Sequence, residues 1–228
     1  MERPPAALRV ALEREFTTST EPVWVGDWRV DLLRPRNSDD LISEADYVRD
    51  ERLPYWADLW PAARVLAAVL TESPAPVHAT RPRLLELGCG LGLVTTAALR
   101  AGYDVTAVDY YADALRFTEA NALSGAGRVP HTRLVDWRAL PVDLGVFHRV
   151  VAADVLYEHS YAPLIAAAVA ETLAKGGSAL IADPGRVAAP AFLDSLAGYG
   201  LTLSATDVRP YAEGAIHQRV SVYTVRRA

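Results

Sequence analysis

Cysteine, methionine and lysine each occur once in this chain of 228 residues, as Cys89, Met1 and Lys175. A lone cysteine cannot close an internal disulfide and fits a reducing compartment. The five histidines (His78, His131, His148, His159 and His217) show no metal-ligand spacing, and with one cysteine they argue against a zinc site. Long apolar runs are missing too. No stretch approaches the roughly 20 residues of a membrane span, and the longest candidate, Tyr161 to Ala170, contains Pro163. The first residues lack the apolar run of a secretory leader. A basic excess is absent: 23 Lys and Arg stand against 28 Asp and Glu, a net charge of −5, which argues against a nucleic-acid binder. P-loop and nucleophile-elbow patterns are not found, and Glu171 stands where a Tyr-x-x-x-Lys pair needs its tyrosine. What is there suits a globular protein: 51% of residues are apolar and 22% charged. The expectation is a soluble, cytoplasmic monomer with no membrane and no nucleic-acid partner.

The chain falls into two parts. Residues 22–33 alternate loosely around Gly26-Asp27 and predict a β-hairpin. Residues 36–52 are polar and mostly acidic, a solvated face or a lure for a basic protein. Pro61 opens a helix-prone run to Leu70, and residues 73–82, with three prolines, read as a linker. We therefore expect a cap over 1–80 and a core domain over 81–228. In the core, strands are predicted at 83–87, 104–108, 132–135, 147–153 and 178–182. Helices are expected between them at 91–101, 112–123, 161–174 and 190–198, the third stopped by Lys175-Gly176-Gly177. The last two strands, 201–208 and 217–225, leave no room for a helix between them. The pattern predicts an α/β fold: a Rossmann-like αβα sandwich whose seven-stranded, mostly parallel sheet ends in an antiparallel C-terminal hairpin.

An acidic residue falls at or just past the end of each of the first five core strands: Glu86, Asp109, Asp136, Asp154 and Asp183. In an open α/β sheet these positions share the edge where ligands bind. Carboxylates accept hydrogen bonds and repel anions, so they point to a ligand rich in hydroxyls and amines. The densest local signal is Glu86-Leu-Gly88-Cys89-Gly90-Leu-Gly92, placed between a strand and a helix. Its glycines permit a tight turn and close approach of a ligand to the backbone. A dinucleotide fingerprint wants a third glycine one residue later, where Leu93 stands, and the 45 residues after Asp183 are too few for a separate substrate domain.

Glu-x-Gly-Cys-Gly-x-Gly with Asp109 closing the second strand resembles the seven-strand S-adenosylmethionine (SAM) methyltransferases. Leu53-Pro-Tyr-Trp-Ala-Asp-Leu-Trp60, Asp136-Trp137, Asp154-Val-Leu-Tyr157-Glu158 and Asp183-Pro-Gly-Arg186 sharpen the likeness to the protein-lysine methyltransferases. The last segment resembles the branch acting on the β-subunit of electron-transfer flavoprotein. The likeness spans about residues 53–228. It implies SAM as cofactor, S-adenosylhomocysteine as product and a protein lysine as acceptor. It further implies that Gly88, Cys89, Gly90 and Gly92 shape the loop around the methionine part, supported by Glu86. Asp109 would meet the ribose hydroxyls, with Tyr110 beside the adenine. Asp136 would meet the adenine amino group, and Trp137 would pack on the ring. Trp60 would lie over the cofactor, with Ala153 also beside it, and Asp154 and Tyr157 would face the target amine as catalytic residues.

Each of these residues also has a plain reading. Trp56 and Trp60 suit the core face of one helix, Trp137 suits a core plug, and Glu158-His159 suits solvated surface. A small-molecule N- or O-methyltransferase and a non-catalytic SAM-binding regulator share the same cofactor signature.

Overall fold

The structure is a computed structural model that describes residues 5–42, 53–76 and 80–228. Part of the expected acidic stretch and part of the linker lie outside those residues. The chain opens with helix α1 (Pro5–Glu15), which the sequence reading did not foresee. The expected hairpin follows as β1 (Thr18–Val25) and β2 (Trp28–Pro35), turning at Gly26-Asp27. Its alternation buries Val23, Val25, Val30 and Leu32 on one face. Helix α2 (Pro61–Glu72) has Pro61 at its first turn, where the missing N–H costs nothing.

The core alternates as read: β3 (Arg83–Leu87), α3 (Leu93–Arg100), β4 (Asp104–Asp109), α4 (Ala112–Ala126), β5 (His131–Leu134) and β6 (Phe147–Ala153). Then come α5 (Tyr161–Thr172), β7 (Leu173–Asp183), α6 (Ala189–Ser195), β8 (Leu201–Glu213) and β9 (Ile216–Arg227). The seven strands lie in the order β5-β4-β3-β6-β7-β9-β8, the first five parallel and the last two antiparallel. Helices cover both faces. Leu85 and Leu87 pack with Ile165, Val169 and Phe192 on one side, and Leu84 packs with Leu66, Val94 and Ala98 on the other. Strands buried on both faces read as continuous apolar runs, which is why they were legible.

One element ends differently from its expected course. Helix α5 stops at Thr172, and Lys175-Gly176-Gly177 belongs to β7. Phe147 pairs with Leu173 and Arg149 with Ser178, so the extra residues bulge out of the strand, with Gly176 at φ +77°. The glycine pair that would cap a helix serves equally well to release a bulge.

The hairpin is tied to the core at one buried side chain. Asn121 on α4 is 1% exposed. It accepts from Leu33 N–H at 2.7 Å and donates to the carbonyls of Leu33 and Leu91 at 2.8 and 2.9 Å. It thus binds β2 to the loop that precedes α3. Asn121→Ala leaves these groups without their buried partner, and we expect a loss of about 2–3 kcal/mol. Urea unfolding of the two proteins measures it, and equal midpoints would show that the strap carries no stability.

Candidate active site

The carboxyl ends of β3, β4 and β6 and the loop after β5 open into one cleft, roofed by residues 53–60 and enclosing about 1050 Å³ with its mouth. Its walls include Trp60, Glu86, Gly88, Cys89, Gly90, Gly92, Asp109, Tyr110, Asp136, Trp137, Ala153, Asp154 and Tyr157. These are the residues to which the resemblance assigned a role, gathered at one place. The fifth rim acid is the exception. Asp183 is fully buried and does not line the cleft; its Oδ1 accepts from the N–H groups of Gly185 and Arg186 at 2.7 and 2.8 Å. It caps its own turn instead of facing a ligand.

The glycine loop turns tightly because Gly88, Gly90 and Gly92 take φ of 73°, 50° and 80°. The space a side chain would need is already filled by the protein. A Cβ on Gly92 would stand 2.7 Å from Thr118 Cα, and one on Gly90 3.2 Å from the Trp56 carbonyl oxygen. The glycines therefore let α4 and the roof close onto the loop, which frees the loop's other side for the cleft. Gly90 N–H donates to Asp109 Oδ2 at 2.9 Å, and Tyr111 N–H to Oδ1 at 3.0 Å, so the loop also orients the acid at the end of β4.

Burial sets the electrostatics. Glu86 is wholly enclosed, and desolvation pushes its carboxyl up to about 8, with the nearby Asp109 charge adding to the effect. A hydrogen bond from the Thr95 hydroxyl works the other way. Burial thus favours the protonated form of Glu86 at neutral pH. Cys89 is enclosed as well, and desolvation followed by Asp109 and Glu86 lifts its thiol above the ordinary range, which makes it a wall and not a nucleophile. The Tyr157 phenol is likewise pushed up by burial, so it stays protonated.

The acceptor end is aromatic. Tyr55 meets Trp60 and Tyr157 edge to face at 6.1 and 5.3 Å, and Tyr157 meets Tyr161 at 5.0 Å. Trp56 and Trp60 do not share a helical face. Trp56 sits in a short turn, Tyr55–Ala57, against Phe117, and Trp60 caps α2, its Nε1 donating to the Tyr55 carbonyl at 2.8 Å. Trp137 lines the cleft and packs on the core at once, edge-on to Tyr161 at 5.6 Å, with its indole N–H buried and unpartnered. Asp136 is paired with Arg138 at 2.6 Å, which lies 6.0 Å over Tyr110. Glu158 and His159 are exposed, Glu158 at the rim of the cleft. Between these walls stands Asp154, the one described non-glycine residue with a positive φ, 59°. Its Oδ1 accepts from Arg186 Nε at 2.6 Å, and its Oδ2 is buried without a partner. An orphaned buried oxygen in a cleft wall is a group that fits a hydrogen-bonding ligand. Thr95 and Asn121, which fix these acids and loops, gave no signal in the sequence, and Arg186 stood out only as part of Asp183-Pro-Gly-Arg186, with no role assigned to it.

Residues 84–177 match the family described as Methyltransferase domain. Over 115 residues the chain is 29% identical to the protein-lysine methyltransferase METTL21E of Bos taurus, a match covering 47% of this chain and 40% of that protein. The chain thus spans about two fifths of the length of the curated relatives it matches. Among solved structures it is similar to the magnesium protoporphyrin IX methyltransferase of Synechocystis PCC 6803 with bound SAM. That likeness has a TM-score of 0.56 and 16% identity over 83% of this chain and 94% of that one. The glycopeptide N-methyltransferase MtfA in complex with SAM gives 0.55 and 17%, over 72% and 94%. Residues 84–177 thus match a methyltransferase domain, on a fold shared with these SAM-bound methyltransferases. Among the described residues no helix is long and apolar enough to cross a membrane.

Proposed function

We propose that the protein transfers a methyl group from SAM to a lysine side-chain amine of a protein substrate. The observation that carries this reading is the unpartnered Asp154 Oδ2, held at the end of a cleft walled by Tyr55, Trp60 and Tyr157. Likeness to a protein-lysine methyltransferase supports it. Bound SAM supplies a sulfonium methyl that passes to the acceptor nitrogen, its electron pair staying on sulfur as S-adenosylhomocysteine departs. The protein supplies alignment. Glu86 meets the amino group of the cofactor's methionine part along the loop of Gly88, Gly90 and Gly92, with Cys89 and Ala153 as walls. Asp109 takes the ribose hydroxyls, and Tyr110, Asp136 and Trp137 hold the adenine. Trp60 covers the cofactor from the roof.

The acceptor amine must lose a proton before it attacks, at about 4–5 kcal/mol from a reference pKa near 10.4. Partial desolvation against Tyr55, Trp60 and Tyr157 lowers that cost. Asp154 Oδ2 accepts from the nitrogen's remaining hydrogens and steadies the positive charge that develops there. Residues 1–80 act as the cap of a catalytic domain over 81–228. The protein works as a monomer in the cytoplasm, in keeping with its single cysteine and its balance of charge. The test is calorimetric titration with SAM, S-adenosylhomocysteine and NAD, followed by labelled-SAM transfer to poly-L-lysine and to small amines and phenols. Micromolar binding of the adenosyl ligands without NAD, then label on poly-L-lysine, is expected. Label only on small acceptors makes it a small-molecule enzyme. Tight SAM binding with no transfer at all makes it a regulator.

A further inference from the structure

The segment Asp183-Pro184-Gly185-Arg186 marks the sequence without a role of its own in the cleft. Its geometry is specific. Asp183 ends β7, and its Oδ1 binds two successive N–H groups, Gly185 and Arg186. Gly185 takes φ 96°, a conformation that a side chain would strain. This turn brings the Arg186 side chain back across the end of β6. There its Nε donates to Asp154 Oδ1 at 2.6 Å, and its guanidinium carbon lies 5.2 Å over the Trp60 ring. Asp154 and Trp60 line the cleft, and the arginine touches both and ties them together. One side chain joins the ends of β6 and β7 to the roof.

We propose that Arg186 is the positioning residue of the acceptor site: it fixes Asp154 by one oxygen and so presents the other to the incoming nitrogen. The proposal rests on the amine-methylating reading and adds to it the group that makes Asp154 usable. A bare carboxylate would hold a lysine as its ammonium, the wrong state for attack. The Arg186 cation at Oδ1 offsets part of the Asp154 charge, while Oδ2 keeps its lone pair and enough negative charge to steady a developing ammonium. Asp154 can therefore orient an amine without locking the proton on. The same cation covers one face of Trp60, which reserves the cleft-side face for the ligands. Asp154 also sits in a left-handed conformation that side chains rarely adopt, and the ion pair helps to hold it there.

Two measurements on Arg186→Ala and Arg186→Lys test this. The first needs no acceptor: crystal structures of the variants with S-adenosylhomocysteine. In R186A the Asp154 side chain is expected to leave its single orientation, with R186K restoring most of it. An Asp154 unmoved in R186A overturns the proposal. The second is a double-mutant cycle with Asp154→Asn, read as turnover on poly-L-lysine or on whichever small amine the parent methylates. R186A alone should lower turnover about 30- to 300-fold with SAM affinity within about threefold. In the D154N background it should add less than about threefold, since both changes remove one device. Losses that multiply in full would show that Arg186 acts by general stability and overturn the positioning role. A parent protein that labels small amines and leaves poly-L-lysine untouched removes the lysine reading alone.

Discussion

Glu86→Gln should make the ligand-free protein more stable at alkaline pH while weakening its grip on SAM. The Glu86 carboxyl titrates at about 8 in the folded chain against an ordinary 4.5, because folding removes it from water. The folded state therefore binds this proton more tightly than the unfolded state does. The stability it confers is fully present below pH 4.5, falls by up to about 1.4 kcal/mol per unit as pH rises, and is gone above pH 8. Summed over that window the loss approaches about 4–5 kcal/mol. Gln carries no proton to lose and can still accept from the Thr95 hydroxyl, which Glu86 now does. Melting curves of the two proteins should nearly coincide at pH 5. They should separate by roughly 10 °C at pH 8.5, with the variant higher. Parallel curves across the range would mean that Glu86 is ionised in the ligand-free protein. The same carboxyl must ionise when it meets the cofactor's ammonium, so SAM binding to the parent at pH 7 should release a proton. Calorimetry in two buffers of different ionisation enthalpy reads that release. In the variant it should vanish, with affinity reduced about 10- to 100-fold by the loss of a charge-assisted bond.

That a carboxyl group stands at the end of β3 was legible from the chain; that burial pushes it up to about 8 was not. The apolar run of Arg83–Leu87 and the glycines behind it are local signals, and they placed Glu86, Asp109 and Asp154 on one sheet edge. Protonation depends on what encloses the side chain, and Thr95 and Asp109 reach Glu86 only after α3 and β4 have packed. The same holds for Asn121, which binds residues 88 positions away, and for Arg186, 32 positions from Asp154. Helix α1 escaped notice because its hold is tertiary: Leu12 enters a cluster with Val23 and Phe117, and Glu15 pairs with Arg116 on α4. Asp183 misled for the opposite reason. It has the right residue type at the right strand end, yet its Oδ1 is taken by the turn that aims Arg186, and its Oδ2 is buried without a partner and outside the cleft wall. Strand-end position alone cannot distinguish an acid that faces a ligand from one that caps its own loop.

Asp154→Asn should lower methyl transfer by about 10²- to 10³-fold and leave the SAM dissociation constant within about threefold. The substitution is unusually clean. Asparagine tolerates the left-handed backbone at this position almost as well as aspartate does, where alanine would pay about 1–2 kcal/mol. Its amide oxygen can still accept from Arg186 Nε, so the clamp on the β7 turn and on Trp60 keeps its partner. What changes is the atom at the cleft. The buried Oδ2, an acceptor with no partner, becomes an NH₂ that offers a hydrogen where the substrate nitrogen needs a lone pair. The negative charge that would steady a developing ammonium is lost with it. Calorimetry with SAM and single-turnover transfer on the same preparation separate the two effects. Turnover at the parent rate would remove Asp154 from the chemistry. A loss of SAM affinity equal to the loss of turnover would move Asp154 from the acceptor end of the cleft to the cofactor end. If affinity holds and turnover falls, the defect is confined to the acceptor step, and the orphaned oxygen is the group that carries it.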